Sequence, residues 1–283
     1  MLNLCNALIM KRRTLIIIVK SAVFNLMLLL ISIIATAQKL PKIQLTSLRA
    51  PNNIKIDGKA TEWDNKFQAY NSSTGVFYTI ANDDDKLYLV IQATDQLVIR
   101  KIIVGSITFT VNSSAENKDK KGSVTYPVFN KKNWPNMNLG NKPIVTKDST
   151  ISSKQVDSFM YAANQQLTTK SKEIKITGVK DIGDTLSIYN QEGIRAVSLF
   201  DHQIAYTYEL AVPLKYLGLS INNVAKFSYH IMLNGSDNIE GLVIKHIEGG
   251  TAMYWNGPRP SETDVEYMRY PTDFTGNYTL AKK

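Results

Sequence analysis

The residues of this chain best equipped for binding chemistry are two tryptophans set in polar surroundings. The stretch "YPVFNKKNWPNMNLGNKP" places Trp134 among asparagines, lysines and prolines, and "MYWNGPRPSETD" places Trp255 beside Tyr254, Asn256 and Arg259. A flat indole stacks on the apolar face of a sugar ring, while planar amide and guanidinium groups bond its hydroxyls. Pro and Gly shape both segments, which predicts loops, and loops on a rigid scaffold are where binding residues gather. A scaffold that brings the two loops to one end would make Trp134 and Trp255 the walls of a shallow site, with Arg259 and Asn256 at its floor. The alternative is that each Trp only caps an end of the scaffold.

A third tryptophan stands in "KIDGKATEWDN", residues 55–65, and its setting differs. Gly58 suits a tight turn, Asp57 can accept hydrogen bonds from turn amides, and an aromatic held by such a turn at the entrance to a core fills that core. Asp57, Gly58 and Trp63 are therefore expected to be structural.

Other chemistries find less support. "NDDD" at 82–85 offers the carboxylate oxygens that calcium takes, but lacks the central Gly and terminal Glu of an EF-hand loop, and a hairpin turn accounts for it. No cofactor is expected, with calcium at that turn the lesser alternative. His202, His230 and His246 are isolated in strand-like contexts without metal-ligand spacing. Met232 near His230 raises haem ligation, yet two residues on one face of one strand cannot reach opposite sides of an iron. A nucleophile elbow and a phosphate-cradling glycine loop are both missing. Glu209, Glu240, Glu248, Glu262 and Glu266 cannot be paired at glycosidase separation from sequence. A non-enzyme is the expectation, a cryptic glycoside hydrolase the alternative.

The elements that must position these residues read mostly as strands. Apolar/polar alternation marks runs at 75–81, 86–94, 106–112, 123–129, 173–179, 185–189, 194–200, 204–212, 225–234, 242–247 and 277–282. "NDDD" joins the first two as a hairpin. In "SSKQVDSFMYAANQQL" the residues Val156, Phe159, Met160, Ala163 and Leu167 recur at helical spacing, and "PLKYLGL" reads as a short helical turn after Pro213. The fold class expected is all-β: an antiparallel β-sandwich of two sheets, with one amphipathic helix over about 152–168 covering an end or an edge, and short helical turns.

Residues 10–38 place Lys11, Arg12 and Arg13 before a long apolar run ending in Ala35, Thr36 and Ala37. This pattern predicts a signal peptide over 1–37, cleaved after Ala37, with a leader over 38–52 and one domain over 53–283. The rival reading is an uncleaved anchor, since the run is nearly long enough to span a bilayer; Lys20 and the A-x-A ending favour cleavage, which leaves no membrane span. The single cysteine, Cys5, falls in the segment removed, so neither disulfides nor thiolate chemistry are expected of the mature chain. Four of the basic residues leave with it, taking the formal charge from +9 to about +5. The densest basic cluster, "ENKDKKG", contains acids, so a nucleic-acid face is not expected.

"IDGKATEWDN", "NDDDKLYLVIQATD", "YTYELAVPLKYLGLS" and the terminal "DFTGNYTLAKK", in this order, resemble the family 9 carbohydrate-binding modules and their DOMON-like relatives of exported bacterial proteins. The resemblance spans 54–283. It implies a β-sandwich without catalysis of its own, in which the D-G-x-x-x-E-W stretch belongs to the fold. It also implies recognition of an oligo- or polysaccharide, two aromatic rings clasping a terminal sugar. The protein would then lie in the periplasm or at the cell surface, with an outer-membrane or cell-surface protein as a further partner. A structural accessory without sugar binding and a haem-binding electron-transfer domain are the alternatives.

Overall fold

Alternating side chains give a strand one buried and one open face, and several strands of this chain are built that way. The computed structural model describes residues 20, 39–115, 118–129, 134, 135, 137, 139, 143, 153–223, 226–237, 242–255 and 261–283. Two units divide the chain, Met1–Leu40 and Pro41–Lys283. The expected signal peptide and its cleavage point lie outside the described residues. Among the described residues no helix is long and apolar enough to cross a membrane.

In the second unit, β1 (Ala69–Asn71), β2 (Val76–Asn82), β3 (Lys86–Ala93), β8 (Arg195–Phe200) and β9 (Tyr206–Pro213) form an antiparallel sheet in the order β1-β2-β3-β9-β8. A second sheet uses β4 (Ile107–Ala115), β5 (Lys118–Val128), β6 (Glu173–Thr177), β7 (Thr185–Ser187), β10 (Lys226–Leu233) and β13 (Thr272–Thr279). Its order is β13-β10-β4-β5-β6-β7. The architecture is a β-sandwich, as the alternation predicts. A separate ribbon pairs β11 (Leu242–Ile247) with β12 (Gly250–Trp255).

The core lies between the sheets. Tyr78, Ile80, Leu89, Ile91, Tyr208 and Leu210 from the first are buried with Phe109, Val111, Val124, Ile174, Tyr229 and Ile231 from the second. Each fully buried side chain of this size is worth about 1.5–3 kcal/mol. Polar groups inside are paired where the sheets meet: the hydroxyls of Tyr78 and Tyr229 lie 2.9 Å apart, and the Gln44 amide donates to Tyr78 at 2.9 Å. Gly276 makes room for this pair, since a Cβ there would stand 2.3 Å from the Tyr229 hydroxyl.

The first sheet is covered on its outer face too. Ala81, Tyr88, Val90 and Ala211 point away from the core and bury Ala60 and Trp63 under a cover that includes Leu48, Ile54, Ile56 and Phe67. Strand β9 is consequently buried along its whole length. From Pro41 on, the segment expected as a leader is part of the same unit. The Gln44 side chain bonds both backbone groups of Ile80, donating at 2.8 Å and accepting at 2.7 Å, and the Tyr278 hydroxyl bonds both backbone groups of Leu48.

Three helices complete the unit among the described residues: α1 (Gln96–Gly105), α2 (Ser153–Lys170) and α3 (Glu262–Arg269). The expected amphipathic helix is α2, burying Val156, Ala163 and Leu167 and lying along β8, an edge strand. The expected turn after Pro213 is a 3-10 turn, Leu214–Leu217. Helices α1 and α3 go beyond the expectation. Asp95 caps α1 by accepting from the amides of Leu97 and Val98, and Ser261 caps α3. Lys101 of α1 is fully buried, and its ammonium donates to the carbonyls of Tyr267 and Tyr270 at 2.7 and 2.6 Å while lying 4.1 Å from the Tyr267 ring centroid. A cation at the last carbonyls of a helix complements its dipole, so Lys101 fastens α3 to α1. Burial brings its pKa down to about 8.

Candidate functional site

The turn at 57–58 shows what a tryptophan in a structural setting needs. Gly58 adopts φ +80°, and a Cβ there would lie 2.9 Å from Leu199 Cγ, so the position excludes larger residues by conformation and by space. Asp57 accepts from the Lys59 amide at 3.1 Å, as predicted. Trp63 is 7% exposed and fills a smaller apolar layer outside the first sheet rather than the space between the sheets. The reason is parity: Val90 and Ala211, its neighbours, alternate with residues that face inward.

Beneath the turn lies Glu209, 1% exposed in the middle of β9. One carboxylate oxygen accepts from the amides of Asp57 and Gly58 at 3.0 and 2.9 Å, the other from the Trp63 indole at 3.1 Å. Burial raises its pKa to about 7, against the lowering effect of these three donors; the nearby Asp57 charge adds to the rise. Glu209 thus serves the turn as an acceptor. Its setting was readable in part: an acid inside the apolar run "YTYELAV" must find donors when the strand is buried.

Trp134 is placed differently. It is half-buried, and its ring meets Phe129 edge-on, with centroids 5.7 Å apart and an interplanar angle of 62°. Its carbonyl accepts from the Lys170 ammonium at 2.8 Å, at the last turn of α2. Met137 and Leu139, a few residues on, are buried in the core, and Gln96 donates to the Leu139 carbonyl at 2.5 Å. The segment is pinned at several points, so the indole is presented from a fixed base.

Tyr254 and Trp255 were expected in a loop, but their backbones belong to β12, opposite Val243 and Leu242 of β11. Asn256 and Arg259 lie outside the described residues. The turn of this ribbon is Glu248–Gly249, with Gly249 at φ +90°, a two-residue hairpin signal legible in "EGGT". Ser261, Glu262, Thr263 and Asp264, expected as part of the same loop, are the cap and first residues of α3.

The remaining candidates have local partners. In "NDDD", Asp83 Oδ1 accepts from the amides of Asp85 and Lys86 at 2.8 and 2.7 Å, and Oδ2 from the Tyr88 hydroxyl at 2.6 Å. Asp84 pairs with Arg49 and Lys283, each at 2.8 Å, and these cations hold its pKa below the usual value. The stretch is the β2–β3 hairpin turn. His230 and Met232 sit half-buried on β10, where His230 lies 3.3 Å from Asp273 on the neighbouring strand. His202 occupies the β8–β9 turn rather than a strand, 3.5 Å from Asp157. His246 is on β11. Of the other acids, Glu248, Glu262 and Glu266 are exposed, while Glu240 lies outside the described residues.

One open groove runs along the outer side of α2. It has a volume of ≈ 500 Å³, with Tyr161, Gln165, Met160 and Leu199 among its walls. Nothing in the alternation of strands pointed to it, because it is formed by a helix against a sheet edge. The chain matches no protein-family model and no curated protein.

Proposed function

We propose that the chain is an exported, non-catalytic carbohydrate-binding β-sandwich that stacks a sugar on aromatic residues, Trp134 from a segment between strands and Tyr254 and Trp255 from the end of β12. The observation that supports this most is Trp134. A partly buried indole backed by Phe129 and tied to α2 through Lys170 is a stacking surface that loses little freedom when a ligand arrives. Trp255, Tyr254, Asn256 and Arg259 are proposed as the second wall and the hydroxyl-bonding groups, from their sequence chemistry alone. The resemblance to family 9 carbohydrate-binding modules points the same way.

Isothermal titration against a panel of neutral and acidic oligosaccharides tests this reading. Binding by the wild type, weakened by about 1–3 kcal/mol in Trp134→Ala and in Trp255→Ala by analogy with aromatic stacking on bases, supports it. Absence of binding to every glycan at millimolar sugar overturns it. The second reading, a structural accessory at the cell surface, rests on the same half-burial of Trp134 against Phe129, because a ring docked edge-on also closes the end of a sandwich. That reading predicts a loss of stability in Trp134→Ala and no sugar binding at all.

A further inference from the structure

Besides its buried apolar residues, helix α2 is fastened to the edge of the first sheet by a backbone-mimicking side chain. The Asn164 carboxamide donates to the Phe200 carbonyl at 2.9 Å and accepts from the Phe200 amide at 2.7 Å, standing in for a neighbouring strand. Phe159 locks the contact by meeting Phe200 edge-on at 5.3 Å. With α2 held there, its outer side and the outward-facing Leu199 of β8 border the open groove of ≈ 500 Å³. That volume lies within the range of small-ligand sites.

The chemistry of the groove is selective. Met160 and Leu199, both half-buried, make an apolar floor, and Tyr161 rises from it 72% exposed, a large aromatic left in water. Asp157 and Gln165 stand four residues before and after Tyr161, about 6 Å along the axis in each direction. A ligand lying there meets a carboxylate, an aromatic face and a carboxamide in succession. Thr168 adds a hydroxyl whose proton is directed to the Asn164 carbonyl at 2.8 Å, leaving its oxygen to accept. The lining contains an acid and no base, and the acid has His202 within 3.5 Å. Such a surface complements a neutral ligand with an apolar face and hydroxyls at its edge, and it repels an anionic one.

We propose that this groove is a second sugar subsite, in which a neutral hexose or pentose ring stacks on Tyr161 over Met160 and Leu199 while Gln165 and Asp157 bond its hydroxyls. The inference rests on the carbohydrate-binding reading but uses none of the residues assigned to the Trp134 and Trp255 site. Because Tyr161 is exposed and Asn164 carries the docking of the helix, the groove can be altered without loosening α2.

The test is isothermal titration of the full chain with neutral gluco-, xylo- and manno-oligosaccharides and with an oligogalacturonate. The wild type is compared with Tyr161→Ala, Tyr161→Phe, Gln165→Ala and Trp134→Ala, and melting curves confirm folding. The subsite predicts roughly ten-fold weaker binding of a neutral oligosaccharide in Tyr161→Ala, with affinity kept in Tyr161→Phe. It also predicts a smaller loss in Gln165→Ala and an unchanged melting temperature. Sugar binding that Trp134→Ala abolishes and Tyr161→Ala leaves intact overturns the subsite while the carbohydrate-binding reading stands. Tighter binding of the oligogalacturonate than of any neutral sugar, lost in Tyr161→Ala, overturns the neutral-ligand assignment. Absence of binding to every sugar overturns the subsite together with the reading on which it rests.

Discussion

Trp63 and Trp134 are the same residue in two economies of contact. Trp63 is nearly sealed, its indole proton given to a buried carboxylate and its ring covering Val90 and Ala211. Trp134 is only partly buried and leans its ring on Phe129, and the bond at its own position runs from Lys170 to its backbone carbonyl. A tryptophan's role follows from what its N–H and its second face do. Where both are committed the residue holds the fold. Where the backbone is pinned and the ring is only partly covered, the residue is the one the carbohydrate-binding proposal uses.

The comparison breaks most visibly at Trp63. Truncation to Ala empties the layer outside the first sheet and strands Glu209 without one of its donors, so a loss of about 3–5 kcal/mol is expected in urea unfolding. A Trp63→Ala protein as stable as the wild type would place the indole with Trp134 instead. Next comes pH. The folded pKa of Glu209, about 7, lies above its ordinary value of 4.5, so the protonated carboxyl favours the fold. The stability it contributes is therefore full below about pH 4.5 and lost as pH rises through 7. The total is about 3 kcal/mol for a shift of this size, and a series of urea melts from pH 4 to 8.5 measures it. Glu209→Gln should flatten that slope, and an unchanged slope would assign it to other groups.

Gly58→Ala probes the same turn without touching either indole. The left-handed backbone and the contact with Leu199 predict a loss of about 1–3 kcal/mol by thermal melting, whereas Gly183→Ala, with its nearest outside atom 3.7 Å away, should be nearly silent. Smallest is Trp134→Ala, for which one edge-on ring contact predicts about 1 kcal/mol of stability. A cost above that of Gly58→Ala would turn Trp134 into a second Trp63 and favour the accessory reading.

Much of the sandwich was legible because a half-buried strand writes its parity into the sequence: "KFSYHIML" alternates open and buried positions residue by residue in β10. The layer outside the first sheet was not, since β9 is buried on both faces and parity carries no information there. Helix α1 had a signal in Asp95 followed by Val98, Ile99, Ile102 and Ile103 at helical spacing, but its apolar content also suits a strand. The burial of Lys101 could not be foreseen, because its acceptors lie more than 160 residues away on α3. Of the candidate site, the pinned setting of Trp134 depends on Phe129 and on Lys170, and only the first is near in sequence. Asp57 and Gly58 were legible as a turn, whereas the partner of that turn, Glu209, is 151 residues from Gly58.

The bonds between Leu48 and the Tyr278 hydroxyl carry a consequence for how the molecule is made. They join residues 230 apart, and Asn82 reinforces the seam by accepting from the Ala281 amide at 2.7 Å and from Tyr278 at 3.2 Å. A chain that emerges from its N-terminus first therefore leaves the bonds of Leu48 and Asn82 to Tyr278 and Ala281 unmade until the last strand arrives. Closing so long a loop costs more entropy than closing a hairpin, so this seam cannot be completed by local pairing alone.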